Sequence, residues 1–110
     1  MDIEELMEGY KDLIPKYSHA RANRTYLEEY KRSQLSILMK ESEALGHKTS
    51  AAQEREAYCN PAYLTHLESL KAAVELDEFW RYKIRQYEME IEIWRTNQAN
   101  NRMERKAYGA

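Results

Sequence analysis

Apolar residues recur every three or four positions along most of the chain, the spacing that places them on one face of an α-helix. Proline has no amide hydrogen and clashes with the preceding helical turn, so we expect the first helix to end at Pro15. This predicts a short acidic helix over residues 1–14. Its apolar stripe consists of Ile3, Leu6, Met7, Tyr10, Leu13 and Ile14.

A second periodic stretch predicts a helix over residues 18–45, with Gly46 placed at its C-terminal end. Glycine is common there because it adopts left-handed backbone angles without a steric penalty. Ser50 and Gln53 then have the spacing of a capping box, in which each side chain satisfies a backbone amide of the other residue. The pattern therefore predicts a short helix over residues 51–59.

The pair Asn60-Pro61 interrupts this helix, because the residue before proline avoids helical angles. Asparagine and proline are also favoured as the N-cap and the first residue of a helix. We expect a long helix over residues 61–102, followed by a flexible tail over residues 103–110.

The long helix carries two apolar stripes that are slightly rotated from each other, which favours packing against more than one neighbour. The chain is thus predicted to be a single all-α domain, a helical hairpin of one short N-terminal helix and two long helices. We expect coiled-coil-like packing and self-association into an oligomer. The second stripe, assigned to core or subunit contacts, consists of Trp80, Ile84, Tyr87, Ile91 and Trp94.

Composition supports this fold class, since only 3 Gly and 2 Pro occur among 110 residues and Val and Thr are scarce. Leu, Ile, Val and Phe together number 18, which is a small stock for a deep, water-excluding pocket. Cys59 is the single cysteine, so an intrachain disulfide is excluded and a reducing cytoplasm is the expected location. No apolar run approaches the roughly 18 residues of a membrane span, and no membrane association is expected.

Catalytic and metal-binding patterns are missing from the sequence. His19, His47 and His66 lie far apart, and none belongs to a Glu-x-x-His or HExxH arrangement. Phosphate-loop and nucleophile-elbow motifs do not occur either. We therefore expect a protein that is not an enzyme and holds no metal or cofactor.

Charge alternates along the chain, at −4, +3, −4 and +3 over residues 1–14, 15–48, 49–78 and 79–110, for a net charge of −2. In both basic blocks cations interleave with aromatic residues, a combination that suits single-stranded nucleic acid. A salt-bridged solvated face would give the same pattern. The candidate DNA-contacting residues are Arg21, Arg24, Lys31, Arg32, Arg81, Arg85 and Arg95.

Three segments of the chain share an organisation with a known family: Asn23-x-x-Tyr26-Leu27-x-x-Tyr30-Lys31, Ala57-Tyr58-Cys59-Asn60-Pro61-x-Tyr63 and Glu90-x-x-x-Trp94-Arg95. With these segments, residues 20–95 resemble the UvsY type of phage recombination mediator in organisation. The resemblance implies a small, self-assembling, non-catalytic protein that binds single-stranded DNA. Such a protein helps a recombinase or annealing protein displace single-strand-binding protein. Lys31 and Arg32 would correspond to the DNA-contacting helix. The near-neutral charge and the acidic first helix depart from that family's pattern.

Two functions follow as expectations. The first is a phage-type accessory protein of DNA recombination or replication, located in the bacterial cytoplasm. It would bind single-stranded DNA and a recombinase, annealing or single-strand-binding protein. The second is a protein-interaction module, such as an inhibitor of a host nucleic-acid enzyme or a coiled-coil scaffold. Its working surface would be the acidic residues Asp2, Glu4, Glu5, Glu8, Glu54, Glu56 and Glu68.

Overall fold

The computed structural model describes residues 2–109, and within that range the chain forms three helices and no strand. Helix α1 spans Ile3–Ala44, α2 spans Ser50–Cys59 and α3 spans Pro61–Ala107. The prediction of an all-α protein is therefore confirmed.

Helix α1 runs through Pro15 without ending, so the prediction of separate helices over residues 1–14 and 18–45 is wrong. A proline inside a helix costs about 3 kcal/mol locally. Leu6, Leu13 and Ala20 lie seven residues apart on one face of α1 and are all buried. Burying a leucine side chain stabilises by about 1.5 to 3 kcal/mol. Packing on both sides of Pro15 therefore outweighs the local preference for a break.

The C-terminus of α1 shows why Gly46 is needed there. The Gly46 amide donates to the Glu43 carbonyl at 3.1 Å, and the His47 amide donates to the Ser42 carbonyl at 3.2 Å. These two bonds form the Schellman motif, which requires a left-handed residue after the helix. Gly46 supplies it with φ of 107°. The predicted role of Gly46 is confirmed.

The N-cap of α2 is Thr49, one residue before the predicted Ser50. The Ala52 amide donates to Thr49 Oγ1 at 3.1 Å. Gln53 does not close a capping box; its Nε2 donates to the His47 carbonyl at 3.0 Å. Thr49 fits the N-cap because its backbone is extended there, whereas Ser50 is already helical.

Asn60 alone separates α2 from α3, which confirms the predicted interruption at Asn60-Pro61. Its backbone is extended, and its Oδ1 accepts from the Ala62 amide at 2.9 Å, so Asn60 caps α3. Helix α3 continues to Ala107, five residues past the predicted end at residue 102. The flexible tail predicted for 103–110 is thus helical over 103–107, and Ala110 lies outside the described residues.

The described chain divides into two compact units. The prediction of one domain stays a prediction. Unit 2, residues 19–77, contains parts of α1 and α3 and the whole of α2. Its core is formed by Leu38, Ala57 and Tyr63, against which Leu35, Met39 and Leu67 pack.

Unit 1 comprises residues 2–18 and 78–109. It is built from the first part of α1 and the second part of α3, and Leu6, Leu13 and Ile84 are its buried apolar residues. Tyr87 packs so closely on Gly9 that a Cβ there would lie 2.6 Å from the tyrosine ring. Of the predicted contact stripe, Ile84 is buried, and the remaining four residues are half-buried: Trp80, Tyr87, Ile91 and Trp94.

Candidate nucleic-acid interface

Arg24, one of the predicted DNA contacts, forms an interior ion pair of unit 2. Its Nη1 donates to Asp77 Oδ2 at 3.0 Å, and its Nε donates to Glu28 Oε1 at 2.9 Å. Asp77 is buried, with 3% of its surface exposed. Moving Arg24 to a phosphate would leave the Asp77 carboxylate buried and unpaired, which is strongly unfavourable. Arg24 is therefore a stabilising residue in this structure.

The exposed arginines of α1 that were predicted to contact DNA lie away from the stacked pair Tyr26 and Tyr30. Lys31 is half-buried, on the same stripe of the helix as Arg24, while Arg21 and Arg32 are exposed. Tyr26 and Tyr30 stack with ring centroids 6.0 Å apart. At about 100° per residue, Tyr26 lies at least about 120° around the helix from either exposed arginine. Tyr26 and these two arginines thus face different directions.

On α3 the structure brings predicted cations and exposed rings together. The guanidinium carbons of Arg81 and Arg85 lie 5.2 and 5.8 Å from the centroid of the Tyr82 ring. Lys83 Nζ lies 5.7 Å from the centroid of Phe79. These distances are within the range of cation–π interactions. Tyr82 is 60% exposed and Phe79 is 50% exposed, so both rings remain open to a ligand.

We define the aromatic-basic face as Phe79, Arg81, Tyr82, Lys83 and Arg85, which carries three cations, with Glu78 paired to Arg81 at its edge. Its neighbour Trp80 is half-buried, and Lys16 of α1 lies over its ring at 5.3 Å from the centroid. Lys16 adds positive charge beside the face within unit 1.

Arg81 is held in place by Glu78, one turn earlier in α3. Its Nε donates to Glu78 Oε2 at 3.0 Å, and this hydrogen bond raises the pKa of Arg81 above its ordinary value. The guanidinium is therefore oriented across the helix surface toward Tyr82. Lys83 and Arg85 are more exposed and better placed to reach a phosphate.

Arg95, the last predicted contact, does not belong to the aromatic-basic face. Its Nη1 donates to Glu92 Oε1 at 2.8 Å, and both side chains are about two-thirds exposed. Such a pair contributes little, typically about 0 to 1 kcal/mol, because water and salt screen it. Arg95 also lies ten residues beyond Arg85, which is about 15 Å along the helix axis.

The predicted contacts did not include Phe79, Tyr82, Lys83 or Lys16. Tyr82 and Lys83 belong to the interleaved rings and cations of the sequence, and Phe79 directly precedes that stretch, so the pattern could have placed all three in the site. Lys16 had no comparable signal, because it meets Trp80 only through the packing of α1 on α3 in unit 1.

The described residues offer neither a metal site nor a membrane span. Within residues 2–109, no three His, Cys, Asp or Glu side chains gather closely enough to hold a metal ion. Over the same residues, no helix has a stretch apolar enough and long enough to cross a bilayer. The grooves of unit 1, such as the one lined by Leu13, Trp80 and Gln86, are open to solvent.

Comparison with known proteins gives no match: neither a protein-family model, nor a curated protein, nor a solved structure is significantly similar to this chain.

Proposed function

We propose that this chain is a non-catalytic accessory protein of DNA recombination or replication that contacts single-stranded DNA through the aromatic-basic face of α3. The observation that carries the proposal is the placement of Arg81, Lys83 and Arg85 over two exposed aromatic rings. The cations would neutralise phosphates, and the rings would stack on unpaired bases.

Single strands suit this face better than duplex DNA does. Base stacking on an aromatic side chain contributes about 1 to 3 kcal/mol per base, and it requires a base whose flat face is accessible. In a duplex those faces are stacked on neighbouring base pairs. Phe79 and Tyr82 lie three residues apart, on adjacent turns of α3, so each ring can take a different base.

The charge of the whole chain predicts weak, salt-sensitive binding. Net charge is −2, and the start of α1 is acidic, so attraction for DNA is confined to a small area. With about three phosphates neutralised, the logarithm of the affinity should fall against the logarithm of salt with a slope of about −2.

The role in recombination comes from the resemblance to UvsY-type mediators. That resemblance supplies the proposed partners: a recombinase, an annealing protein or a single-strand-binding protein in a bacterial cytoplasm. A small local affinity for DNA would suit a mediator, because the partner protein must take over the strand afterwards.

The test compares two matched pairs of cations by fluorescence anisotropy of a labelled oligothymidylate at low and moderate salt. Lys83→Ala with Arg85→Ala removes the two exposed cations of the α3 face. The control, Arg21→Ala with Arg32→Ala, removes two exposed cations of α1 and the same charge. We expect the α3 variant to bind at least 10-fold more weakly and the control to change less than 3-fold. Equal losses, or no binding by the native chain at low salt, would contradict the proposal.

The rings provide a second comparison. Tyr82→Ala should weaken binding about 5-fold or more, because a stacking interaction is lost. Tyr26→Ala removes a tyrosine that is 64% exposed, similar to the 60% of Tyr82, and should leave binding unchanged. The opposite ranking would move the DNA contact to α1.

A second candidate function, a protein-interaction module, is favoured by a different surface. The first turns of α1 form an open groove in which the apolar residues Ile3 and Met7 lie among acidic residues. This surface would suit a basic target, such as a nucleic-acid enzyme. Capture of such an enzyme that survives nuclease treatment, and is lost with Glu4→Lys and Glu8→Lys, would support it. The acidic residues of this groove are Asp2, Glu4, Glu5 and Glu8.

A further inference from the structure

The outward side of α3 in unit 1 carries a row of large apolar side chains that remain exposed. Their exposed fractions range from 50% for Phe79 to 69% for Met103. Their positions follow the a and d sites of a heptad repeat, with Gln86, Thr96 and Asn100 filling the remaining sites. We call this row the α3 seam: Phe79, Tyr82, Gln86, Met89, Ile93, Thr96, Asn100 and Met103.

The seam differs from the stripe that packs within the chain. In the same heptads, Trp80, Tyr87 and Trp94 occupy b sites, while Ile84 and Ile91 occupy f sites. Site f lies across the helix from a and d, whereas site b lies about 100° from a and about 160° from d. The a residues Phe79, Gln86 and Ile93 therefore border the grooves that Leu13 and Leu6 of α1 also line. The contacts of Tyr87 with Gly9 and of Trp80 with Lys16 show that the b sites face α1.

We propose that the α3 seam is the contact surface for a second copy of this chain, in a parallel and in-register two-stranded coiled coil. The seam covers residues 79–103, about 37 Å of helix at about 1.5 Å per residue. The proposed contact thus uses a different face from the stripe that the sequence assigned to core or subunit contacts.

Polar residues of the seam support the parallel, in-register arrangement. Two-fold symmetry then places each a residue opposite its own copy, so Gln86 meets Gln86 and Asn100 meets Asn100. Each amide can donate to and accept from its twin. In an antiparallel coil that overlaps the whole seam, Gln86 would face Thr96, whereas Asn100 would face Tyr82 and lose its amide partner.

Charges beside the seam support the same arrangement. In parallel coils each g residue approaches the e residue five positions later in the other helix. These pairs join Arg85 to Glu90 and Glu78 to Lys83, both of opposite sign. The two remaining pairs within the seam are Glu92 with Asn97 and Ala99 with Glu104, so like charges do not meet.

Self-association would also regulate DNA binding, a step that rests on the proposed function. Phe79 and Tyr82 belong to both the seam and the aromatic-basic face. A second copy would cover the rings and leave Lys83 and Arg85 at the edges. Single-stranded DNA and the second copy should therefore compete, and each should lower the apparent affinity of the other by mass action.

The test of the seam is the molar mass of the full chain, measured by light scattering and sedimentation over a range of concentrations. The native chain should reach twice its 13.2 kDa. Ile93→Glu, which places a charge at an a site, should weaken association at least 100-fold. The control Ile37→Glu changes an isoleucine of α1 that is 47% exposed, against 58% for Ile93, and should not alter association. Circular dichroism verifies that both variants fold.

A native chain that stays monomeric at the highest concentration would overturn the seam, as would equal effects of Ile93→Glu and Ile37→Glu. Orientation is tested with Met103→Cys in a Cys59→Ser background. Rapid oxidation to a disulfide-linked dimer supports the parallel register, and resistance to it contradicts that register.

Measuring oligonucleotide binding and molar mass on the same samples distinguishes failure of the proposed function from failure of the α3 seam. A native chain that dimerises, together with an Ile93→Glu variant that binds no oligonucleotide, would leave the seam standing and overturn the proposed function. A monomer that binds it would do the reverse. If both hold, Ile93→Glu should bind the oligonucleotide more tightly than the native chain at concentrations where the native chain is dimeric. Equal affinities of the native chain and Ile93→Glu at those concentrations would contradict the proposed competition between DNA and the second copy.

Discussion

Units 1 and 2 are built from the same two long helices, yet they bury different kinds of residues. Unit 2 adds α2 as a third element and buries a core around Leu38, Ala57 and Tyr63, together with the polar residues His66 and Asp77. Unit 1 has only two helical segments, and two helices cannot enclose a core on all sides. Apart from Leu6, Leu13 and Ile84, its described large apolar residues are left half-buried or exposed. Because the rings of the aromatic-basic face are among them, unit 1 is the candidate region for partners.

Unit 2 pairs its buried polar side chains His66 and Asp77 with partners inside the unit. A ring nitrogen of His66 lies 2.8 Å from the Leu27 carbonyl, and the His66 ring also contacts Tyr30. Arg24 and Asp77 form their ion pair in the same unit. Buried polar groups need such partners, because an unpaired one costs about 1 to 3 kcal/mol. We expect unit 2 to account for most of the stability.

The largest expected effect comes from a core truncation in each unit. Leu38 and Leu6 are both 4% exposed, but Leu38 lies in the enclosed core and Leu6 borders an open groove. Leu38→Ala should lower the free energy of unfolding by about 3 kcal/mol, and Leu6→Ala by about 2 kcal/mol. Urea unfolding followed by far-ultraviolet circular dichroism measures both. A larger loss for Leu6→Ala would reverse the comparison.

The next effect concerns the interior ion pair. Arg24→Met keeps the apolar stem but leaves the Asp77 carboxylate without its cation, and should cost about 2 kcal/mol. The control Arg95→Met breaks the exposed pair with Glu92 in unit 1 and should cost less than about 0.5 kcal/mol. Thermal and urea unfolding distinguish them. Similar small losses would show that the Asp77 site is more hydrated than its burial indicates.

A smaller effect on stability is expected from removing the N-cap of α2, Thr49, and almost none from changing the next residue, Ser50. Thr49→Ala removes the oxygen that accepts from the Ala52 amide and should cost about 1 kcal/mol. Ser50→Ala should cost almost nothing, because Ser50 is within the helix and alanine is a better helix former there. Unfolding by urea tests this pair, and a greater loss at Ser50 would restore the capping box predicted from sequence.

The smallest effect is an alkaline pH dependence of unit 1. Tyr10 Oη donates to Glu88 Oε1 at 3.1 Å, and this hydrogen bond raises the pKa of Tyr10 above its ordinary value of 10.0. The contribution to stability is thus present below pH 10 and is lost as pH rises through the folded-state pKa. Relative to Tyr10→Phe, the native chain should lose stability only above pH 10. Both tryptophans lie in unit 1, so their fluorescence follows its unfolding. A loss that begins near pH 7 would contradict the assignment.

Local sequence signals predicted some boundaries of the fold and missed others. The end of α1 at Gly46 and the interruption at Asn60 depend on backbone angles that specific residues favour, and both were predictable. The passage of α1 through Pro15 could not be predicted, because burial of Leu13 and Ala20 in the folded chain outweighs the local preference of proline for a helix break. Helix α3 extends past residue 102, and its last turn holds Arg105 and Lys106, which favour a helix C-terminus.

The candidate site was predictable to a smaller extent. Interleaved rings and cations pointed to Arg81 and Arg85, which the structure places over Tyr82. The same pattern pointed to Arg24, whose partner Asp77 is 53 residues away and could not be inferred from spacing. The α3 seam gives a weaker sequence signal than the stripe of tryptophan and isoleucine, because Gln86, Thr96 and Asn100 interrupt its apolar positions.

Footprinting of aromatic side chains by hydroxyl radicals, with and without an oligothymidylate, tests the central claim most directly. The Ile93→Glu variant is the proper sample, since a second copy should not cover its α3 seam. The account predicts that DNA protects Phe79 and Tyr82 in unit 1 and leaves Tyr26 and Tyr58 in unit 2 as reactive as before. Protection of Tyr26, or no protection of Phe79 and Tyr82 at saturating oligonucleotide, would contradict the claim that unit 1 is the binding region.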